Sequence, residues 1–429
     1  TNLELEEDIT LSSDEAIRFL TLSLNYHTLT LGSSTSDLTV DNALNIGQNT
    51  EGISTGDADL ILNQYLRIFE EGSITSTGGT ISLQEGGELS GTETGNGILD
   101  ISDSIWTLGG DFTKSSGTLT ISQTDFKLEG HSTLTSDEAL NFVNLNLNDY
   151  TLTLGSSTSD LTVENAITID TSTEGISTGE ADLILLSALN MSQGLLGSTG
   201  GTWEFSGDFV KSSGTLTISQ TNLVLKGSIT LTSDQALSFM TLNLNNFTLT
   251  LGSSTSDLTV ANAVTIDAST EGISTGEADL ILLSALTMSD GKLESTGGSW
   301  ILSGDFVKSS GTLTISQTNL ALTGSIKLTS DQALSFVNLN LNNFTLTLGS
   351  STSDLTVANA ITIDASTEGI LTGGADLLLG ALTLSAGDVT STGGIVSLSG
   401  GGQLSGTGKL DVSGSTWELG GDFVKSSGT

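Results

Sequence analysis

Hydrophobic and polar residues alternate in short runs along most of the chain. A period of two places aliphatic side chains on one side of a strand and polar side chains on the other. The polar positions are mainly Thr, Ser and Asn, and threonine suits the outer face of a pleated surface. We therefore predict many short β-strands with an aliphatic inner face. Clear aliphatic pairs are Leu216 and Ile218, Leu242 and Leu244, Leu249 and Leu251, Leu258 and Val260, and Val264 and Ile266.

This strand pattern is carried by long internal repeats. The phrase LTLGSSTSDLTV occurs four times, and its Leu-Gly step begins at Leu31, Leu154, Leu251 and Leu348. The residue numbers of successive copies therefore differ by 123, 97 and 97. A fixed period of this length indicates a repeat architecture. A second repeated phrase, Gly-Asp-Phe followed by Lys-Ser-Ser-Gly-Thr, contains Asp111, Asp208, Asp305 and Asp422.

The repeats differ in length by nearly constant amounts. The first and last each carry an insert of about 20 residues between Ser-Thr-Gly-Gly and Gly-Asp-Phe. The 97-residue unit divides into five steps, which we interpret as coils, anchored at Leu216, Leu231, Leu249, Ile273, Leu293 and Leu313. The differences between these residue numbers are 15, 18, 24, 20 and 20. Insertion of a whole coil would preserve the stacking of a β-solenoid, where each coil pairs with its neighbours.

We predict an all-β parallel β-helix, one continuous β-solenoid over the whole chain, with about 22 coils of roughly 19–20 residues each. Its internal units are 1–113, 114–210, 211–307 and 308–429. Residues 279–288 (DLILLSALTM) are expected to form a buried strand. Their first counterpart, DLILNQYLRIFEEG, carries Arg67 and Glu70 and is expected to loop outward.

The chain begins and stops in the middle of a coil. Two alternatives follow: the chain is a window of a longer polypeptide, or its last coil stacks on the first coil of the next copy.

Composition agrees with a fold made of hydrogen-bonded ladders. Proline is absent, as expected where each strand must donate its N–H groups. The 52 glycines, together with Asn in LNLNN, can supply the left-handed corners of the coils. Because cysteine is also absent, disulfides and thiolate metal sites are excluded.

Acidic residues outnumber basic ones by 50 to 11, which gives a formal charge of −39. Binding to nucleic acid is disfavoured, because neutralising phosphates requires Lys and Arg. No apolar run approaches the roughly 20 residues that span a bilayer, so we expect no membrane insertion. The charge keeps a β-rich surface soluble and attracts divalent cations.

Each repeat contributes one tryptophan and one nearby phenylalanine. One interpretation is a row of sugar-stacking platforms, and the other, which we favour, is that the rings fill the core. The cheap discriminator is whether Trp203 and Trp300 are exposed. The aromatic residues are Trp106, Trp203, Trp300 and Trp417, with Phe112, Phe209, Phe306 and Phe423.

Charged residues recur at fixed places in the repeat. The aspartate of Gly-Asp-Phe lies three residues before Lys114, Lys211, Lys308 or Lys425, and we predict a rim ion pair rather than an acid–base pair. Acids in STSDLTV and ASTEGISTGEADL could hold Ca²⁺ weakly at the surface, but we favour a solvated acidic face. We assign no catalytic, cofactor-binding or metal-binding residues.

Three weaker motifs complete the candidates. His27 replaces Tyr150, Phe247 or Phe344 of the other repeats, which indicates a packing position, and the chain's other histidine is His131. Asn190, Asn246 and Asn343 match the N-glycosylation pattern. Thr-x-Thr phrases at Thr215, Thr230 and Thr248 are similar to those of ice-binding solenoids, but several coils lack them.

The wording GSSTSDLTV and GDFVKSSGTLTIS resembles the Ser/Thr/Gly/Asn/Leu-rich repeats of giant bacterial surface proteins of the haemagglutinin-repeat and adhesin type. That resemblance covers the whole chain and implies secretion, a right-handed parallel β-helix, and a role in adhesion, sheath or matrix.

We expect a structural, extracellular rod or filament segment at the cell surface, without enzyme activity. It would associate with itself end to end or belong to a longer chain. The alternatives are a glycan- or surface-binding adhesin stalk, an ice-binding solenoid and a tailspike-like polysaccharide-degrading enzyme.

Overall fold

The computed structural model describes residues 1–47, 51–92 and 95–429. Within these ranges there is no helix, and the short strands pair in parallel except in one hairpin. The strands stack in about 20 turns, which confirms the predicted β-solenoid. The handedness of the coil stays a prediction. The chain divides into two compact units, Thr1–Thr221 and Asn222–Thr429.

In the first unit, successive strands are assigned in turn to three columns, A, B and C, and strands in a column stack along the coil axis. Column A contains Ile9–Leu11, Thr28–Leu31, Gly52–Gly56, Ser73–Ser76, Ile98–Asp100, Thr118–Thr120, Leu140–Phe142, Leu161–Val163, Leu183–Leu185 and Thr202–Phe205. Column B contains Ile17–Phe19, Leu38–Val40, Leu60–Leu62, Thr80–Leu83, Ile105–Leu108, Asp125–Leu128, Asn144–Asn146, Ile167–Ile169, Leu189–Met191 and Phe209–Lys211. Column C contains Asn2–Glu4, Thr21–Ser23, Leu44–Ile46, Leu66–Ile68, Gly87–Leu89, Phe112–Lys114, Ser132–Ser136, Thr151–Leu154, Gly175–Ser177, Leu195–Ser198 and Thr215–Ile218.

The second unit has the same plan, with columns D, E and F. Column D contains Asn222–Leu225, Leu242–Asn243, Val264–Ile266, Leu286–Met288, Phe306–Lys308, Ile326–Ser330, Thr345–Leu348, Gly369–Gly373, Asp388–Ser391 and Lys409–Asp411. Column E contains Ile229–Ser233, Thr248–Leu251, Gly272–Ser274, Lys292–Ser295, Thr312–Ile315, Leu334–Phe336, Ile395–Leu398 and Thr416–Leu419. Column F contains Leu237–Phe239, Leu258–Val260, Leu280–Leu282, Ser299–Leu302, Asn319–Leu322, Leu339–Asn340, Gly402–Leu404 and Phe423–Lys425. Two longer strands, Leu355–Ile363 and Leu377–Leu384, cross from column E to column F.

The pairing register fixes the length of one turn. In column F, Leu258 lies beside Leu280, followed by Trp300, Leu320 and Leu339. The residue numbers of these successive partners differ by 22, 20, 20 and 19. The predicted register of Leu249, Ile273, Leu293 and Leu313 is confirmed in column E.

The two shorter predicted steps are wrong. Leu231 pairs with Leu251, and the partner of Leu249 is Ile229, so the paired residue numbers differ by 20 and not by 18. Leu216 pairs with Leu196. Alternating leucines look alike in sequence, and a strand two positions along the same face cannot be told from the next coil by spacing alone.

A 97-residue repeat therefore does not contain a whole number of turns. Thr345–Leu348 is the fourteenth strand after its counterpart Thr248–Leu251, and fourteen strands make four and two-thirds turns of three. Accordingly, the earlier copy lies in column E and the later one in column D. In the first unit, Thr28–Leu31 lies in column A and Thr151–Leu154 in column C. Each copy of the phrase thus moves back by one column.

Two local expectations fail in the first unit. The segment around Arg67 does not loop outward, because Leu66–Ile68 pairs with Leu44–Ile46 on one side and Gly87–Leu89 on the other. Its inward residues Leu66 and Ile68 are fully buried, which keeps the strand in the coil. An antiparallel hairpin instead forms from Gly91–Thr92 and Gly95–Asn96.

The expected single strand at residues 279–288 is two strands, Leu280–Leu282 and Leu286–Met288, in different columns. A turn at Leu283, which is half exposed, separates them.

The corners follow the sequence closely. In the LNLNN phrase, Asn245 and Asn246 have φ values of 49° and 69°. Asn tolerates this left-handed conformation, as predicted for these corners. The same pair of left-handed residues recurs at Asn342 and Asn343.

Candidate functional site

The glutamate of the Glu-Gly-Ile phrase holds a corner of the coil together. In the third repeat Glu271 is 8% exposed, and its carboxylate accepts backbone N–H bonds from Asn246 (3.2 Å), Asp267 (2.8 Å) and Ala268 (3.3 Å). Asn246 belongs to the left-handed corner of the preceding turn. One carboxylate therefore joins two successive turns and satisfies N–H groups that the corner leaves unpaired. Glu174 and Glu368 make the same contacts.

The serines of the STSD phrase build a second corner. The hydroxyl of Ser256 is fully buried, accepts the N–H of Ser233 (2.8 Å), and lies 2.7 Å from the Ser253 hydroxyl. Thr255 donates to the Ser233 carbonyl at 2.7 Å. The hydroxyl groups of this phrase thus have partners inside the coil. The pattern recurs at Ser36, Ser159 and Ser353.

Aspartates stack one turn above another beside this corner. In the first unit, the Asp160 carboxylate accepts the N–H of Asp182 at 2.8 Å, and the Asp182 carboxylate accepts the N–H of Thr202 at 2.6 Å. Burial raises the pKa of Asp182 above its ordinary value, and the nearby Asp160 and Glu204 charges raise it further, while the Thr202 N–H opposes them.

The Asp182 pKa gives a testable pH dependence. Because the folded pKa is raised, the folded chain binds this proton more tightly than the unfolded chain. The ionised group therefore destabilises the fold at pH 7, and the penalty disappears as the pH falls through the folded pKa towards 3.8. D182N should keep the acceptor for Thr202, raise the free energy of unfolding at pH 7, and flatten its rise on acidification.

Urea unfolding at several pH values measures this effect. The matched control is D279N, which has Ile281 and Ile301 paired nearby where the first unit has Ile184 and Glu204. Equal changes in both variants would contradict a like-charge contribution at Asp182.

The recurring lysines are buried and use different partners from those predicted. The Lys308 side chain is 1% exposed, and its Nζ lies 2.5 Å from Asp331 Oδ1 in the next turn. Lys114 contacts Asp137, and its Nζ lies 3.2 Å from Glu138. The predicted Asp305–Lys308 and Asp111–Lys114 ion pairs are therefore wrong. Strand alternation is the reason, since it turns Lys308 to the same inner side as Phe306.

The aspartates of Gly-Asp-Phe accept backbone bonds instead. The Asp111 carboxylate accepts the N–H of Thr133 at 2.7 Å, and that of Asp305 accepts the N–H of Lys327 at 2.8 Å. These bonds also connect one turn to the next.

The tryptophans lie in the core, as favoured. Trp203 and Trp300 are each 1% exposed and Trp106 is fully buried. Trp300 lies 5.9 Å from Phe306 and 5.8 Å from Phe336, measured between ring centroids, in edge-on arrangements. These rings cannot stack on a sugar without opening the coil.

Threonine ladders on the outer face are short. Thr250 lies between Thr230 and Ser274, and Glu294 follows Ser274 in the same row. A flat array of threonines at one register is therefore interrupted after two rungs in column E.

The histidines have structural surroundings. The Nδ1 atom of His131 accepts the N–H of Thr151 at 3.0 Å. Ser228 and Ser325 take this acceptor position for Thr248 and Thr345 in other repeats. His27 is about one-third exposed and lies 3.7 Å from Asp8.

The two arginines of the chain are engaged separately. Arg18 pairs with Asp41 at 2.7 Å. The Nε atom of Arg67 is 3.6 Å from Glu88, and its guanidinium carbon lies 5.6 Å from the Phe69 ring centroid.

Among residues 1–47, 51–92 and 95–429, no group of three or more His, Cys, Asp or Glu side chains is placed to hold a metal ion. The Glu271 and Ser256 corners were not singled out in the sequence. Their signal is present, because both residues are unchanged among the four copies of the repeat, but spacing does not reveal which backbone groups they bind.

No protein-family model matches the chain, and no curated protein or solved structure is significantly similar to it. In the parts described by the structure, no helix is long and apolar enough to cross a membrane.

Proposed function

We propose that the chain is a structural element, a segment of an extracellular rod or filament that associates with itself or continues in a longer chain. The observation that carries this proposal is the use of the repeated polar side chains. Glu271, Ser256, Asp257 and Lys308 all bind groups of the coil itself. Their repetition therefore preserves the coil.

The column shift supports the same function. A binding array on one face requires the same residues to return to that face in successive repeats. Here the TLTL phrase moves from column E to column D within the second unit, and from column A to column C within the first. Repetition at this period is better suited to maintaining a stack than to presenting one ligand surface.

The alternatives have less support. A glycan-binding stalk would have used the tryptophans, but Trp106, Trp203 and Trp300 are buried. For a polysaccharide-degrading enzyme, the only two arginines are already engaged by Asp41, Glu88 and Phe69. The short threonine rows do not favour ice binding.

The test combines mass and location. We expect antibodies to this chain to label long structures outside intact cells in electron micrographs. The labelled material, once denatured, should give either a mass well above 43.9 kDa with continuing repeats, or a mass near 43.9 kDa from fibres. The first result identifies a covalent polymer and the second an assembled one. Label confined to the cell interior, or a soluble monomer of 43.9 kDa, would refute the proposal.

A further inference from the structure

The hydrogen-bonded ladders are interrupted at recurring places, one of which follows the GTLTIS phrase. In column A, the ladder that begins at Ile9–Leu11 ends at Thr118–Thr120, and a separate ladder begins one turn later at Leu140–Phe142. In column E, a ladder ends at Thr312–Ile315 and the next begins at Leu334–Phe336. The lower strand comes from the same GTLTIS phrase in both units. We call this gap between the two strands the seam.

The core is less well sealed at the seam than one turn below it. Leu313 in the lower strand is 7% exposed, whereas Leu293, one turn below it in the same row, is fully buried. In the first unit, Ile121 is 8% exposed beside the equivalent gap. An open cavity of about 410 Å³ lies there, lined by residues 119–123 together with Glu138, Asn141 and Val143.

A side chain replaces the missing ladder bond in the second unit. The amide Nε2 of Gln332 donates to the backbone carbonyl of Leu313 at 3.0 Å, across the seam. The equivalent residue in the first unit is Glu138, whose carboxylate has no hydrogen to donate when ionised. Its Oε1 atom instead lies 3.2 Å from Lys114 Nζ. The two seams thus differ in whether this bond can form.

We infer that the seam is a built-in opening point of the solenoid, and that the amide of Gln332 holds it closed in the second unit. Local opening begins where backbone hydrogen bonds are fewest and apolar contacts are least complete. The seam has both properties, while the neighbouring column remains paired at the same level, as in Phe306–Lys308 with Ile326–Ser330. Opening is therefore confined to one side of the coil.

This inference goes beyond the structural function and does not depend on it. In a molecule under tension, the seam would separate before the continuous ladders, and the adjacent column would keep the turns connected. The identity of residue 332 or 138 would set how easily each seam opens.

A reciprocal exchange of the two residues tests the proposal. Hydrogen–deuterium exchange would be followed by mass spectrometry in the full chain. We expect Thr312–Ile315 and Leu334–Phe336 to exchange faster than Lys292–Ser295 in the wild type. Q332E should accelerate exchange at this seam by about fivefold, a factor typical of one lost hydrogen bond. E138Q should slow exchange at Thr118–Thr120 and Leu140–Phe142 by a similar factor.

The matched control is Q403E, which introduces the same charge at an exposed position of Gly402–Leu404. It should leave both seams unchanged. Equal exchange rates in seam strands and in Lys292–Ser295 would overturn the opening point. Failure of both exchanges to alter the seams, or an equal effect of Q403E, would overturn the assignment to the amide.

Discussion

Replacing Trp300 with alanine should lower the free energy of unfolding by about 4 kcal/mol, the largest effect that we expect from one side chain. The indole is 1% exposed and contacts Phe306 and Phe336, so its removal leaves a large cavity. It also lies in the ladder between Leu280 and Leu320, where neighbouring turns cannot close the space without losing register. Urea unfolding followed by far-UV circular dichroism gives the change.

The conservative variant W300F separates packing from any role of the indole in ligand binding. We expect it to recover more than half of the lost stability. If W300A altered binding to polysaccharide surfaces without altering stability, the interpretation of Trp300 as a core residue would be wrong.

Replacing Glu271 with alanine should cost about 3 kcal/mol, because three backbone N–H groups at the corner lose one shared acceptor. The expected loss exceeds that of an ordinary hydrogen bond, since Glu271 is 8% exposed and water has little access to the freed groups. Hydrogen exchange should report the damage at Asn246 and Ala268, in two successive turns.

The control is E277A, at an exposed glutamate six residues further along the chain. Its free energy of unfolding should stay within about 0.5 kcal/mol of the wild type. E271Q should be intermediate, because an amide offers a single acceptor oxygen. A cost for E271A no larger than that for E277A would show that the corner does not need the carboxylate.

The fold class was predictable because alternation and repetition report the same physical constraint. Inner positions such as Leu249 and Ile273 must be apolar on a period of two, and stacked turns must have similar lengths. The left-handed corners were predictable from Asn245 and Asn246 for a related reason, since few other residue types tolerate that conformation.

Register and partners were harder to predict. Leu231 and Leu249 fit the same alternating pattern, and only hydrogen bonding shows that Leu231 faces Leu251. Lys308 was matched to Asp305 because they are close in sequence, but strand alternation turns Lys308 inward, where the next turn supplies Asp331. A partner one turn away is distant in sequence, and sequence spacing does not show which of the many polar residues at that distance it is.

The four and two-thirds turns in a 97-residue repeat have a consequence for how such a gene can grow. Unequal recombination between two copies would add one repeat and rotate all following turns by one-third of a circle. Hydrogen-bond register would survive this event only if each side of the coil accepted strands from either of the other two. The placement of the TLTL phrase in columns E and D shows that two sides accept the same strand within the second unit. Duplication could therefore lengthen the molecule in steps that are not whole turns, and the three sides would experience the same selection.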